Sequence, residues 1–174
     1  MTAAIKSLRD VYVDQLKDLY GAENQITKAL PKIIKKVTSL ELKNGLEDHL
    51  EQTMKQIERL DRIFESLESN PNGKKCEGME GVLKEGKEVM AEKMSSPDVM
   101  DAALIGASQK VEHYEIASYG TTRAFAELLG EDEAVDLLTQ TLEEEHTADA
   151  KLTVLALNII NPEALQEGTS KERM

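Results

Sequence analysis

An all-α antiparallel four-helix bundle is the fold this sequence predicts. Three observations carry it: helical periodicity over four long segments, the lack of Val/Ile runs of strand type, and connections of very unequal length. In each segment apolar residues recur at alternating spacings of three and four, which places them along one side of a helix. The first segment, from about Thr2 to Ser39, reads Ile5, Leu8, Tyr12, Leu16, Leu19, then Glu23, then Ile26, Leu30, Ile33 and Val37, with Pro31 expected to kink it. The second, from about Leu40 to Ser69, reads Leu46, Leu50, Thr53, Ile57, Leu60, Phe64 and Leu67. The third begins after Pro97, with Ser96 or Asp98 as its cap, and runs to Leu129 before Gly130. The fourth runs from about Asp132 to Ile160 and stops before Asn161-Pro162, which leaves 163–174 as a polar, frayed tail on a single domain of residues 1–162.

Helices of about 30 residues are about 45 Å long, which suits an elongated bundle. Segments one and two are joined tightly, and so are three and four at Gly130-Glu131-Asp132, so each pair should form an antiparallel hairpin. Between them, Asn70 to Pro97 opens with a Pro71-Asn72-Gly73 turn, and Met79 to Lys93 reads as a short helix on the way back along the bundle. Two hairpins joined by one long crossover is the ferritin-like topology.

Composition narrows the function. A net charge of −12 in 174 residues argues against nucleic acid or an anionic membrane as partner, because both require basic patches. No apolar stretch approaches the roughly 20 residues of a membrane span. One cysteine, Cys76, cannot make an internal disulfide, and the N-terminus lacks the pattern of a signal peptide, so a cytoplasmic location is expected.

The informative residues are acids in core positions. Glu23 stands where the first stripe should have a Leu. The third stripe, Ile105, Ser108, Glu112, Glu115, Tyr119, Thr122, Ala126, turns two glutamates inward, and the fourth, Leu138, Leu142, Glu145, Asp149, Leu152, Ala156, has two acidic steps in succession. On the second helix Glu51 flanks the stripe beside Leu50 and Met54. A single acid on a stripe is most often an edge residue reaching solvent. Here, however, all these acids fall within about one turn of the helix midpoints near Gly21, Lys55, His113 and His146, and in an antiparallel bundle midpoints share a layer.

Each buried carboxylate costs several kcal/mol, and neighbours of like charge add to that. Protonation, basic partners or cations must offset the cost. The stripes offer no Arg or Lys at that height, whereas two divalent ions would balance four carboxylates. Oxygen donors with imidazole suit iron or manganese. The candidate metal ligands are therefore Glu23, Glu51, Glu112, Glu115, Glu145 and Asp149, with Glu112 as bridge and Glu23 as a terminal ligand. His49 and His113 read as surface or interface residues, and His146 as a flanking one.

The runs Gln109-Lys110-Val111-Glu112-His113-Tyr114-Glu115-Ile116-Ala117-Ser118-Tyr119-Gly120-Thr121, Leu19-Tyr20-Gly21-Ala22-Glu23-Asn24-Gln25, His49-Leu50-Glu51-Gln52-Thr53, Lys75-Cys76 to Met79-Glu80-Gly81, and Thr141-Leu142-Glu143-Glu144-Glu145 with Asp149 closely resemble the YciE/YciF family of bacterial ferritin-like stress proteins. The likeness spans nearly the whole chain. It implies a ferritin-like fold, a dimer built from helical faces, a di-iron site and an association with stress. One departure concerns the site: Met54 stands where a Glu-x-x-His pattern starting at Glu51 would have His, and a thioether is a poor donor to hard iron.

Two functions follow. One is a di-metal protein that oxidises Fe(II) with oxygen or peroxide. The other is a non-enzymatic helical stress or interaction protein in which metal is structural or vestigial. A metal-free bundle whose acids share protons is a third reading of the same residues.

Overall fold

A computed structural model describes residues 5–71 and 74–171, with side chains of the last helix described as far as Gln166. Helix α1, Leu8–Lys36, starts where the Ser7 hydroxyl accepts the Asp10 amide and runs on through Pro31. Helix α2, Leu40–Ser66, is capped by Ser39 and ends in a left-handed turn at Glu68, where the Ser69 amide donates to the Phe64 carbonyl. Helix α3, Glu77–Ala91, lies in the crossover, α4 spans Pro97–Leu129 with Ser96 as its cap, and α5 spans Asp132–Leu155. Gly130, at φ 72°, makes the turn between α4 and α5 that a residue with a Cβ would resist. The helical span of α1 expected from Thr2, the centre of the Pro71-Asn72-Gly73 turn and the end of the tail fall partly outside the described residues.

One boundary differs from expectation. The chain does not leave the helix at Ile160: a single π-helical turn, Ala156–Ile160, leads into α6, Asn161–Lys171, which packs on α4. Asn161-Pro162 follows directly on this π-helical turn, and the helix runs on through it. The polar tail is therefore helical through Lys171.

In the bundle α1 lies between α2 and α4, and α5 between α4 and α2, the ferritin-like arrangement of two hairpins. Its apolar interior is divided in two. One half joins Tyr12, Leu16 and Leu19 to Leu60, Ile63, Phe64, Ala134 and Leu138; the other joins Ile26, Leu30 and Ile33 to Leu42, Leu46, Leu104, Ile105 and Leu152. Helix α3 covers the second half, resting on α1 and α4. Gly21 permits this approach, because a Cβ there would meet the Lys74 carbonyl oxygen at 2.5 Å. Among the described residues no helix is long and apolar enough to cross a membrane.

Candidate metal centre

Between the two apolar halves lies a polar layer. Glu23 of α1, His49 of α2, Glu112 and Glu115 of α4 and Glu145 of α5 are all buried, the least covered of them 4% exposed. One ligand atom from each of His49, Glu112, Glu115 and Glu145 lies within 4.8 Å of all the others. Glu23 stands beside them, near enough for its charge to raise the proton affinity of Glu115.

Their partners are few. The Tyr119 hydroxyl donates to Glu23 Oε1 in a short contact, and the Gln56 amide donates to Glu145 Oε1 in another. The remaining oxygens have no such donor: Glu23 Oε2, Glu112 Oε2, both oxygens of Glu115 and Glu145 Oε2 are buried without a hydrogen-bond partner. Both nitrogens of His49 share that condition. Nε2 stands 3.6 Å from Glu112 Oε1 and 4.0 Å from Glu115 Oε2, too far for hydrogen bonds.

Electrostatics follow from that geometry. Burial raises the carboxyl of Glu23 to about 8, the charge of Glu145 adding to the effect. Burial likewise pushes Glu112 and Glu115 well above the usual carboxylate range, helped by Glu145 beside the first and Glu23 beside the second. The His49 imidazole is shifted down by burial, so it rests neutral and keeps a lone pair available.

One basic group does face inward. Arg59, 9% exposed, was not expected at this height. Its guanidinium forks onto both oxygens of Glu144, at 2.6 and 2.7 Å, and donates to the Thr141 hydroxyl at 3.0 Å. Although burial works the other way, this holds the Glu144 carboxyl below its ordinary value. With Arg59 so engaged, no Lys or Arg hydrogen-bonds Glu23, Glu112, Glu115 or Glu145 among the described residues.

Four of the six expected ligands thus come together: Glu23, Glu112, Glu115 and Glu145. Glu51 does not; it is exposed on the solvent side of α2. Asp149 does not either; half-buried, it accepts from the Gln109 amide at 3.1 Å and stands 3.3 Å from His113 Nε2. His113 and His146 are exposed, whereas His49, expected on the surface, is the one imidazole inside. The reason is the rotation of α2. Among its buried residues Leu42, Leu46, His49, Thr53, Gln56, Leu60 and Ile63 run in an unbroken three–four alternation, with Arg59 and Phe64 beside it. That stripe lies beside the one read through Leu50 and Ile57, and turning the helix onto it carries Glu51 outward. Extending the Leu42–Leu46 and Leu60–Ile63 spacings into the helix centre would have found it.

The donor set fits a hard or borderline metal ion. Anionic oxygens and a neutral imidazole, buried, mutually close and without other partners, are what such an ion requires and what an empty apolar core would not keep. His49, Glu112, Glu115 and Glu145 could hold a metal ion, with the buried Glu23 on the neighbouring helix.

Known proteins share this chain's sequence and fold. It is 49% identical to Protein YciF of Escherichia coli strain K12 over 162 residues, covering 92% of this chain and 96% of that protein. The crystal structure of the E. coli stress protein YciF superimposes with a TM-score of 0.86 at 47% identity, over 90% of this chain and 99% of that one. YcfI of Rhodopseudomonas palustris does so with a TM-score of 0.84 at 46% identity, over 88% and 97%. A Xanthomonas campestris protein shares the fold alone, with a TM-score of 0.73 at 22% identity over 92% and 98%. The pattern of a family described as a domain of unknown function, DUF892, matches residues 7–165, and the chain belongs to that family.

Proposed function

We propose that this chain binds a pair of divalent ions, iron in preference to manganese, in its mid-bundle layer and oxidises Fe(II) with oxygen or peroxide as part of a stress response. The observation that carries the reading is the set of buried, unpartnered acceptors on Glu23, Glu112, Glu115, Glu145 and His49. Four ionised carboxylates balance two divalent charges. The stress setting rests on the E. coli relative, which is described as a stress protein. When bound, such ions supply the electrons that reduce the oxidant. The chain's own part is to position and insulate. Tyr119 fixes one oxygen of Glu23 and Gln56 one oxygen of Glu145, leaving the other oxygen of each available. The apolar halves on either side exclude bulk water, so the carboxylates act at low dielectric. Anaerobic Fe(II) titration should saturate at about two ions per chain, and admitting oxygen should then change the absorbance. His49→Ala and Glu112→Ala should each lower the stoichiometry. If both variants load and turn over as the parent does, the site is misassigned.

A second reading has its own support. Tyr119 and Gln56 are neutral partners, and the raised carboxyls of Glu23, Glu112 and Glu115 would let the layer stand protonated without any ion. YcfI has been proposed to be a structural protein. A layer that stands protonated predicts no change in melting temperature with Fe(II) or Mn(II), whereas a structural metal predicts metal-induced stabilisation with no Fe(II) oxidation above the uncatalysed rate.

A further inference from the structure

Outside the metal centre, the crossover leaves a groove of about 670 Å³ between α1 and α3, closed at its base by α4. That volume falls within the range of sites that hold small organic ligands. The base is apolar, made by Ile33, Leu83, Met90 and Val111. The rim is basic. Lys28 and Lys32 lie one turn apart on α1, and Lys84 and Lys87 face them from α3. Lys28, Lys32 and Lys87 make no ion pair with another described residue, and Lys84 only approaches the exposed Glu88 at 3.9 Å. The acids of the groove, Glu77 and Glu80, sit at the start of α3, where Lys75 is paired with Glu80. In a chain of net charge −12, four lysines turned toward one cleft with an oily base are a concentration of charge against the general trend.

We propose that this groove binds an organic anion with an apolar body, of the class of a medium-chain carboxylate, its head on the Lys28, Lys32 and Lys87 rim and its chain along the base. Charge complementarity selects the head: the rim attracts an anion and repels the divalent ions suited to the buried layer, so the groove is not the route by which metal enters. The groove is bounded by α1, α3 and α4 and open to solvent, and its volume of about 670 Å³ is that of a small-molecule site. The base also has a direction. Ala29, Ile33, Leu83 and Val111 line both the groove and an inner cavity of about 10 Å³, whose other walls include His49, Ser108 and Glu112. That inner space holds roughly one water. The apolar end of the ligand therefore rests against a wall one side chain thick, with the polar layer behind it.

The proposal does not depend on the metal reading, and the test keeps them apart by using metal-free full-length protein. Calorimetric titration with decanoate, below its micellar concentration, should show saturable binding at one site. Decyltrimethylammonium, with the same chain and the opposite charge, should not bind, and acetate, with the head alone, should bind negligibly. Lys32→Glu combined with Lys87→Glu should weaken decanoate by roughly tenfold or more, because two attractive contacts become repulsive. Lys35→Glu combined with Lys36→Glu, which changes net charge equally outside the groove, should leave it unaltered. Met90→Gln should weaken binding through the base without altering charge. The proposal is overturned if decanoate binds without saturation, if the two lysine pairs have equal effects, or if an anionic amphipathic peptide binds and decanoate does not.

Discussion

Two buried polar regions of this bundle behave in opposite ways. At the turn between α1 and α2, Asp101 reaches across from α4 and is 2% exposed. Its carboxylate accepts the Thr38 amide at 3.0 Å, the Thr38 hydroxyl at 2.7 Å and the Ser39 amide at 2.7 Å. Each oxygen has a donor, and the charge ties a tight turn to the neighbouring hairpin. In the mid-bundle layer, by contrast, the acids face one another and an imidazole, and most of their oxygens have no donor at all. Burial is the same; satisfaction is not. A satisfied buried acid is architecture, whereas a group of unsatisfied ones is an architecture awaiting a partner.

The largest expected effect is therefore that of pH on the metal-free protein. Glu23, Glu112 and Glu115 hold protons more tightly folded than unfolded, so the folded state binds more protons and stability falls as pH rises. Their contribution is complete below the ordinary value of 4.5 and is lost as pH climbs, for Glu23 through about 8. His49 works the other way, since its folded value is depressed: it offsets part of the loss as pH rises toward its ordinary value of 6.5, and above that its contribution is complete. Urea denaturation of metal-free protein at pH 5 and pH 8 should show a loss of several kcal/mol at the higher pH. Saturation with Mn(II) should remove most of that loss, because the ion replaces the protons. Unchanged stability across that range would mean that the layer is already satisfied, and the contrast with Asp101 would fail.

Next in size is Asp101→Ala. Removing this carboxylate strands donors that it satisfies at the turn, and should cost roughly 2–4 kcal/mol, measured as a lower denaturation midpoint with an unchanged m-value. Glu115→Gln should do the reverse in metal-free protein. It replaces a buried acid that has no donor by a neutral amide able to donate to Glu23, and should stabilise by roughly 1 kcal/mol while weakening metal uptake.

The sequence displays the layer better than it displays the tie. Glu23, Glu112, Glu115 and Glu145 are legible because each interrupts an apolar stripe whose phase is fixed by large residues on both sides. Asp101 interrupts nothing so plainly, for it stands four residues into α4 with no apolar stripe before it to fix its phase, and only the folded turn reveals its three donors. The crossover helix could be placed from its periodicity, but not the groove it forms, since a groove depends on how far α3 stands from α1. Pro162 looks like a terminator, yet just after a π-helical turn the helix runs on through it. The imidazole was misplaced because two neighbouring stripes on α2 both alternate by three and four. Leu50 and Ile57 are large enough to suggest one, whereas His49, Thr53 and Gln56 are the polar members of the other.

That ambiguity supplies the finest test, with the smallest effect. Glu51 and His49 are two residues apart on α2, about 200° around the helix, so only one can face the layer. Glu51 is exposed, and no ion pair joins it to another described residue. Glu51→Ala should change stability by less than about 0.5 kcal/mol and leave metal stoichiometry intact, while His49→Ala removes a buried nitrogen donor facing Glu112 and Glu115. Titrating both variants with Mn(II) compares the two phases of one helix directly. Should Glu51→Ala lose metal while His49→Ala retains it, α2 would have to be turned by more than half a revolution, and Thr53, Gln56 and the Arg59–Glu144 fork would be carried out of the core with His49.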